Sequence, residues 1–129
     1  MEVPLRAALI AWLAADPALA DQLNAVAEEA PSRTSLPWLA VAASASADWS
    51  TKDRTGREVR VALELHCRGD TPGGAAALVA AIEARIAALP SDQAGFSVVT
   101  SQFLRARAEQ RGESRRAIFL EYRLRLLAN

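Results

Sequence analysis

The clearest strand pattern in the chain is the sequence REVRVALELHC at residues 57–67. Every second side chain is apolar or cysteine, and most of the side chains between them are charged or polar. Because successive side chains of a strand point to opposite faces, this alternation predicts a strand with one buried face. A polar turn at residues 50–56 and a breaker-free segment at 38–49 precede it. Together these segments predict a β-hairpin over residues 36–68.

A second hairpin is predicted near the carboxyl end, over residues 96–127. The segments 96–109 and 116–127 both alternate, and Gly112 marks a tight turn between them. The buried face of the last strand is predicted to carry Ile118, Leu120, Tyr122, Leu124 and Leu126. On the preceding strand, we expect Leu104, Ala106 and Ala108 to share one face and Arg105, Arg107 and Glu109 the other.

The first thirty residues predict two helices. Apolar side chains recur at helical spacing over residues 3–15 and form one stripe. A second helix is predicted to begin directly after it, because Asp16 suits an N-cap and Pro17 suits the first helical position. The second helix is predicted to run to about Glu29, with its acids in water.

A third helix is predicted between the two hairpins, over residues 70–89. Asp70 or Thr71 provides a cap, Pro72 takes the first helical position, and Pro90 ends the helix.

The order α-α-β-β-α-β-β predicts an α/β (α+β) fold: a mostly antiparallel four-stranded sheet covered on one face by helices. A chain of 129 residues, 51% of them hydrophobic, suits a single domain over residues 1–129. The predicted N-terminal helices occupy residues 1–30 of that domain.

The formal net charge of zero argues against a protein that coats nucleic acid or anionic lipid through bulk charge. That zero is a cancellation, because residues 1–32 hold five acids against one arginine, and residues 105–125 hold seven arginines against three acids. Two unlike ends suit head-to-tail contacts between copies. Two solvated surfaces that differ by chance would explain the same asymmetry.

No catalytic, metal or cofactor site is predicted. His66 and Cys67 point to opposite faces of a strand, so without a bulge they can neither share an ion nor act as a base and its nucleophile. The glycine-rich residues 69–74 precede a helix, but their spacing fits neither a P-loop nor a dinucleotide-binding motif. The chain is therefore expected to be a binding or structural protein rather than an enzyme.

The arginines of the second hairpin have two interpretations. They could meet phosphates, or they could form ion pairs with acids of a neighbouring subunit, which we favour. Polar loops could reach partners above or below the subunit. The candidate interface residues are Glu28, Glu29, Lys52, Arg54, Arg57, Arg105, Arg107, Arg111, Arg123 and Arg125.

No membrane segment or signal peptide is predicted. The apolar run at residues 5–19 is interrupted by Arg6, Asp16 and Pro17 and is shorter than the roughly 20 residues that a spanning helix needs. It also lacks a basic start and a cleavage site. We expect synthesis in the cytoplasm.

The order of these segments resembles the tail-completion family of siphophages, prophages and gene transfer agents. The resemblance covers nearly the whole chain. It is carried by LRAAL (5–9), AADPAL (14–19), LPW (36–38), DRTG (53–56), the strand at 59–67, the helix ending at Pro90, and the arginine-marked hairpin.

The resemblance implies a subunit of a ring, usually a hexamer, without catalytic residues or cofactors. Such a ring is a tail terminator: it caps the tail tube at the head–tail junction of a phage-like particle and joins it to the head-side stopper or connector protein. DNA is expected to pass through the lumen without sequence-specific binding. The alternatives are another minor tail or adaptor protein, and a small nucleic-acid-binding regulator that uses the arginine hairpin.

Overall fold

A six-stranded sheet lies at the centre of the computed structural model, which describes residues 1–31, 33–69 and 72–129. Its strands lie in the order β1-β2-β3-β6-β5-β4. The helices are α1 (Glu2–Ala14), α2 (Pro17–Gln22) and α3 (Pro72–Ala87). The strands are β1 (Val26–Ala27), β2 (Trp38–Asp48), β3 (Gly56–Arg68), β4 (Asp92–Gln93), β5 (Phe96–Arg111) and β6 (Arg115–Ala128).

The predicted mixture of helices and sheet is confirmed, but the prediction of four strands is wrong. The four long strands β2, β3, β6 and β5 are antiparallel neighbours in that order. The short β1 adds parallel to β2, and the short β4 adds antiparallel to β5. Strands of two residues are too short to show alternation, so the sequence pattern could not reveal them.

The second helix ends at Gln22, seven residues before the predicted end at Glu29. Asn24 leaves the helix because its backbone N–H donates to the Pro37 carbonyl at 2.8 Å, and its side-chain amide donates to the carbonyls of Ser35 and Leu36. These bonds draw the chain into β1 beside β2. Buried Leu23 therefore faces the core from a non-helical segment, although its spacing is also compatible with a helix.

The ends of the helices agree only in part with the prediction. Asp16 occupies the N-cap of α2 with Pro17 behind it, but the Asp16 side chain makes no capping hydrogen bond. The predicted caps of α3, Asp70 and Thr71, lie outside the described residues, as does Ser32. Pro72 is the first residue of α3, as predicted.

The hydrophobic core lies between the helices and one face of the sheet. Leu5, Leu9 and Leu13 of α1 are buried there, as are the inward-facing residues of β3 and the predicted stripe of β6. Trp12 joins α1 to α3, because its indole donates to the Arg85 carbonyl and the Arg85 guanidinium lies 3.4 Å from its ring centroid. The opposite face of the sheet, here called the uncovered face, carries no helix of the described residues.

Strand β5 departs from simple alternation at two irregularities, between Val98 and Thr100 and between Phe103 and Arg105. The second makes Leu104 an extra residue, and Phe103, which pairs with Tyr122, lies on the helix side of the sheet with Ala106 and Ala108. Arg105 and Arg107 lie on the uncovered face, opposite Glu121 and Phe119 of β6.

None of the helices in the described ranges is long and apolar enough to cross a membrane.

Candidate functional site

Two long strand edges have no neighbouring strand among the described residues. β1 pairs with only Leu39 and Ala40 of β2, which leaves residues 41–48 as the β2 edge. β4 pairs with only Phe96 and Ser97 of β5, which leaves residues 99–111 as the β5 edge. Unpaired backbone groups along such edges are a template for pairing with another chain. The two edges lie on opposite sides of the sheet.

The hydrogen bonds of the sheet show which residues present backbone groups at the β2 edge. Trp49 donates its N–H to the Gly56 carbonyl at 2.9 Å, so every second residue before Trp49 also bonds to β3. The residues between them, Ser44, Ser46 and Asp48, turn their backbone groups outward. Near β1 the edge is already occupied, because Arg6 donates to the Val41 carbonyl at 2.9 Å.

The same alternation identifies the outward residues of the β5 edge. Val98 turns away from β6, since its N–H donates to the Ser91 carbonyl at 2.8 Å. Beyond Val98, the register with β6 continues through the two irregularities, and alternate residues of β5 form hydrogen bonds to β6. The residues between these bonded positions turn their backbone N–H and C=O groups outward. They are Ser101, Phe103, Ala106, Ala108 and Gln110, and their side chains lie on the helix side of the sheet.

The candidate arginines of the second hairpin lie together on the uncovered face, but each has a carboxylate of its own chain beside it. The ion pairs are Arg105–Glu121 at 2.9 Å, Arg107–Glu109 at 3.2 Å, Arg111–Glu109 at 2.9 Å, Arg123–Glu58 at 3.3 Å and Arg125–Glu58 at 3.6 Å. The hydrogen bond from Arg105 lowers the pKa of Glu121 below its ordinary value. Three glutamates thus accompany five arginines.

Aromatic rings accompany these charges. The Arg107 guanidinium lies 4.7 Å from the centroid of Phe119, and that of Arg125 lies 5.5 Å from the centroid of Trp49. The Arg125 Nε atom is buried without a hydrogen-bond partner, because its 3.6 Å separation from Glu58 is too long for one. These contacts hold the arginine side chains against the sheet.

The candidate acids lie on the other side of the molecule. Glu28 and Glu29 follow β1 directly, and Glu28 pairs with Arg6 at 3.0 Å. They are not helical, contrary to the prediction. The structure therefore separates these acids from the β5 arginines by the width of the sheet, and does not bring the two groups together within one subunit.

The remaining candidates lie at the turn between β2 and β3. Arg54 donates through Nε to the Ala128 carbonyl at 2.9 Å, and Arg57 donates to the Ser46 hydroxyl at 3.2 Å. Lys52 is exposed. In the sheet register, Gly56 pairs with Leu127 and Arg68 pairs with Arg115, so this turn and the β5–β6 turn project from opposite ends of the sheet.

The sequence reasoning missed three exposed apolar side chains. Val3, Val99 and Phe103 are 72%, 48% and 46% exposed. Val3 lies in the first turn of α1, and the other two lie on the β5 edge. Phe103 was hidden because the irregularity at Leu104 shifts the alternation of β5.

His66 and Cys67 do point to opposite faces, as predicted. His66 stacks on Trp38 with ring centroids 4.1 Å apart, whereas Cys67 is buried in the core. Burial raises the pKa of the Cys67 thiol above its ordinary value. The described residues contain no group of three His, Cys, Asp or Glu side chains close enough to hold a metal ion.

Known proteins resemble the chain in sequence pattern and in fold. No curated protein matches the chain. A chain in a structure described as the virion of a native gene transfer agent (GTA) particle superposes with a TM-score of 0.80, covering 98% of this chain and 97% of that chain. The identity is 22%, so this likeness concerns the fold. The family model described as tail completion protein gp17 matches residues 7–127, so the chain belongs to that family.

Proposed function

We propose that the chain is a tail terminator that forms a ring, caps the tail tube and joins it to the head-side stopper or connector protein. Membership of the tail completion family gives the chain a structural role in a phage-like tail. The observation that carries the finer proposal is the pair of open edges on opposite sides of the sheet. The role is one of assembly and contains no catalytic step.

The two edges suit a closed ring because they differ from each other. A ring of identical copies is built from heterologous contacts, in which each subunit presents two unlike and complementary surfaces. The β2 side carries the acids Glu28, Glu29 and Asp48, and the β5 side carries Arg105, Arg107 and Arg111. Unlike charges on the two sides favour head-to-tail contacts over contacts between like edges.

The two turns at opposite ends of the sheet suit axial partners. The β2–β3 turn contains Lys52 and Arg54, and the β5–β6 turn follows Arg111. With strands running roughly along the ring axis, one turn meets the tail tube and the other meets the stopper or connector protein. The candidate interface residues at the edges would thus make lateral contacts and those at the turns axial contacts, whereas Arg123 and Arg125 of the central strand β6 belong to the uncovered face.

We place the uncovered face of the sheet toward the lumen. Five of its arginines lie within 4 Å of carboxylates, so a DNA phosphate has to compete with Glu58, Glu109 or Glu121 for each of these five. Such a wall attracts DNA weakly, which suits a channel through which DNA must move. The same pairing argues against a nucleic-acid-binding regulator, which needs arginines free for phosphates.

The position of the chain in assembled particles tests the proposal. Particles made without it are expected to yield unjoined heads and tails, and a tagged chain is expected at the junction between head and tail in electron micrographs. The matched control is the same tag on the tail-tube protein, which should label the whole tail. A tag found at the distal tip, or joined particles made in the absence of the chain, would contradict the terminator role and favour another tail or adaptor role.

A further inference from the structure

The first turn of α1 lies beside the β2 edge and exposes an apolar side chain there. Glu2 accepts a hydrogen bond from the Ser44 hydroxyl, and Arg6 donates to the same hydroxyl at 2.9 Å. These bonds fix the start of α1 over the outer part of β2. Val3, next to Glu2, is 72% exposed, more than any other large apolar side chain of the described residues.

The β5 side of the molecule has a groove of about 290 Å³ between α3 and β5. It is lined by Glu83, Ala87, Ser101, Phe103 and Tyr122. The Phe103 ring packs edge-on against Tyr122 with centroids 5.6 Å apart, yet 46% of the residue is exposed. Val99, beside the groove on the same edge, is 48% exposed.

The directions of the strands allow these two surfaces to meet. Successive strands in the order β2, β3, β6 and β5 are antiparallel, so β2 and β5 run in opposite directions. Rotation of one copy about an axis roughly along the strands therefore places its β2 antiparallel to the β5 of the next copy. The outward backbone groups of Ser44 and Ser46 then face those of Ser101 and Phe103, and the helices of both copies lie on the same side.

The geometry points to a second copy of this chain as the occupant of the groove: the first turn of α1, with Val3, packs against Phe103 between α3 and β5 while the β2 edge extends the neighbour's sheet. This contact rests on the proposed function, because it is the lateral contact that closes the ring. It covers two of the three exposed large apolar side chains, Val3 and Phe103, at once. Pairing of two β5 edges would instead place arginines against arginines, which is unfavourable.

A cross-linking experiment tests the contact directly. The double variant Val3→Cys and Phe103→Cys is made with Cys67→Ala, so that no third thiol is present, and is treated with a short bismaleimide at high protein concentration. Because each subunit then carries both halves of a head-to-tail contact, a ladder of covalent multimers is expected in denaturing gels. The matched control pairs Val3→Cys with Ala80→Cys, an exposed position on α3, and is expected to stay monomeric.

An assembly measurement separates this inference from the proposed function. Sedimentation of the unmodified chain is compared with that of Phe103→Glu and of the control Ala80→Glu, and only Phe103→Glu is expected to lose assembly. The contact is overturned if the double-cysteine variant gives no ladder or if the ladder equals that of the control. If the unmodified chain forms ring-sized species but the double-cysteine variant gives no ladder, the proposed ring is supported and its lateral contact lies elsewhere. If the chain neither cross-links nor assembles and is missing from particles, the proposed function fails as well.

Discussion

At the scale of single residues, the phenol of Tyr122 is an informative probe of the core. It is the only tyrosine in the chain, it is 5% exposed, and burial together with nearby Glu83 raises its pKa to about 12. In the unfolded chain the pKa returns to about 10. The neutral phenol is thus favoured by folding, and its contribution to stability is complete below pH 10.

The prediction is that stability falls as the pH rises from about 10 to about 12, because the unfolded chain loses the phenolic proton first. A shift of two units corresponds to about 3 kcal/mol. Tyr122→Phe is expected to remove this part of the alkaline loss and to change stability little at pH 7. Urea denaturation of both proteins across this pH range measures the difference. Parallel curves for the two proteins would show that Tyr122 ionises equally in the folded and unfolded states.

A second residue, Arg6, closes the inner end of the β2 edge. Its guanidinium donates to the Val41 carbonyl and the Ser44 hydroxyl and pairs with Glu28, and its side chain is 16% exposed. Arg6→Ala leaves the Val41 carbonyl at the β2 irregularity without this donor, and we expect a loss of about 1–3 kcal/mol in the free energy of unfolding. Lys52→Ala, in an exposed turn, is the control and is expected to be neutral within about 0.5 kcal/mol. Equal stabilities of the two variants would exclude this role for Arg6.

At the scale of elements, the hairpin of β2 and β3 depends on Gly56. A Cβ atom there would overlap the Trp49 carbonyl oxygen and would lie 2.8 Å from a Leu127 methyl group. Because the Trp49 N–H also donates to the Gly56 carbonyl, neither of the two strand segments can move away without breaking the hydrogen bonds between β2 and β3. Gly56→Ala is therefore expected to destabilise the fold by at least about 2 kcal/mol.

Gly112 offers the matched control in the other hairpin. A Cβ atom there would meet nothing within 4 Å, and Gly112→Ala is expected to leave stability unchanged or slightly raised. Thermal unfolding of the two variants measures the contrast. A Gly56→Ala protein as stable as Gly112→Ala would mean that the close approach at the start of β3 is relieved at no cost.

The elements also show what the sequence could and could not predict. Alternation in residues 57–67 and 116–127 reflects burial of one face over many residues, so β3 and β6 were predicted with the correct faces. The helix predicted to Glu29 ends at Gln22, so the prediction is wrong for residues 23–29. Helical spacing and a short extended segment would both bury Leu23, and only the distant carbonyls that bind the Asn24 side chain decide between them. The position of Phe103 on the helix side was not predicted, because the irregularity in β5 that places it there is set by the pairing of β5 with β6.

The sequence predicted which arginines share a face of the second hairpin, but not which residues pair with them. The arginines of the second hairpin lie on one face, as their spacing indicated. Their partners Glu58 and Glu121 come from neighbouring strands or from across the hairpin, and the pairing register that brings them together is a property of the assembled sheet. The apolar surface at Val3 and Phe103 was not predicted, since exposure depends on where the helices stop covering the sheet.

At the scale of the whole molecule, opposite charges lie close together in space as well as cancelling in the total. Glutamates lie among the arginines of the uncovered face. The prediction is that these glutamates, rather than overall neutrality, keep DNA from binding tightly. The variant Glu58→Gln, Glu109→Gln and Glu121→Gln frees the five arginines now paired with them. We expect it to bind duplex DNA non-specifically, with a steeper dependence on salt than the unmodified chain. Each arginine that gains a phosphate makes the negative slope of log K against log salt concentration steeper by about 0.9.

A control with the same change in charge separates local pairing from net charge. The variant Asp21→Asn, Glu28→Gln and Glu29→Gln also removes three negative charges, but these lie on α2 and just after β1, away from the arginines. If local pairing governs DNA affinity, only the first variant gains a steep salt dependence in fluorescence titrations with labelled DNA. Equal gains in both variants would mean that net charge alone decides. Tight binding by the unmodified chain would contradict a lumen wall past which DNA moves freely, because a channel that holds each phosphate slows the DNA it conducts.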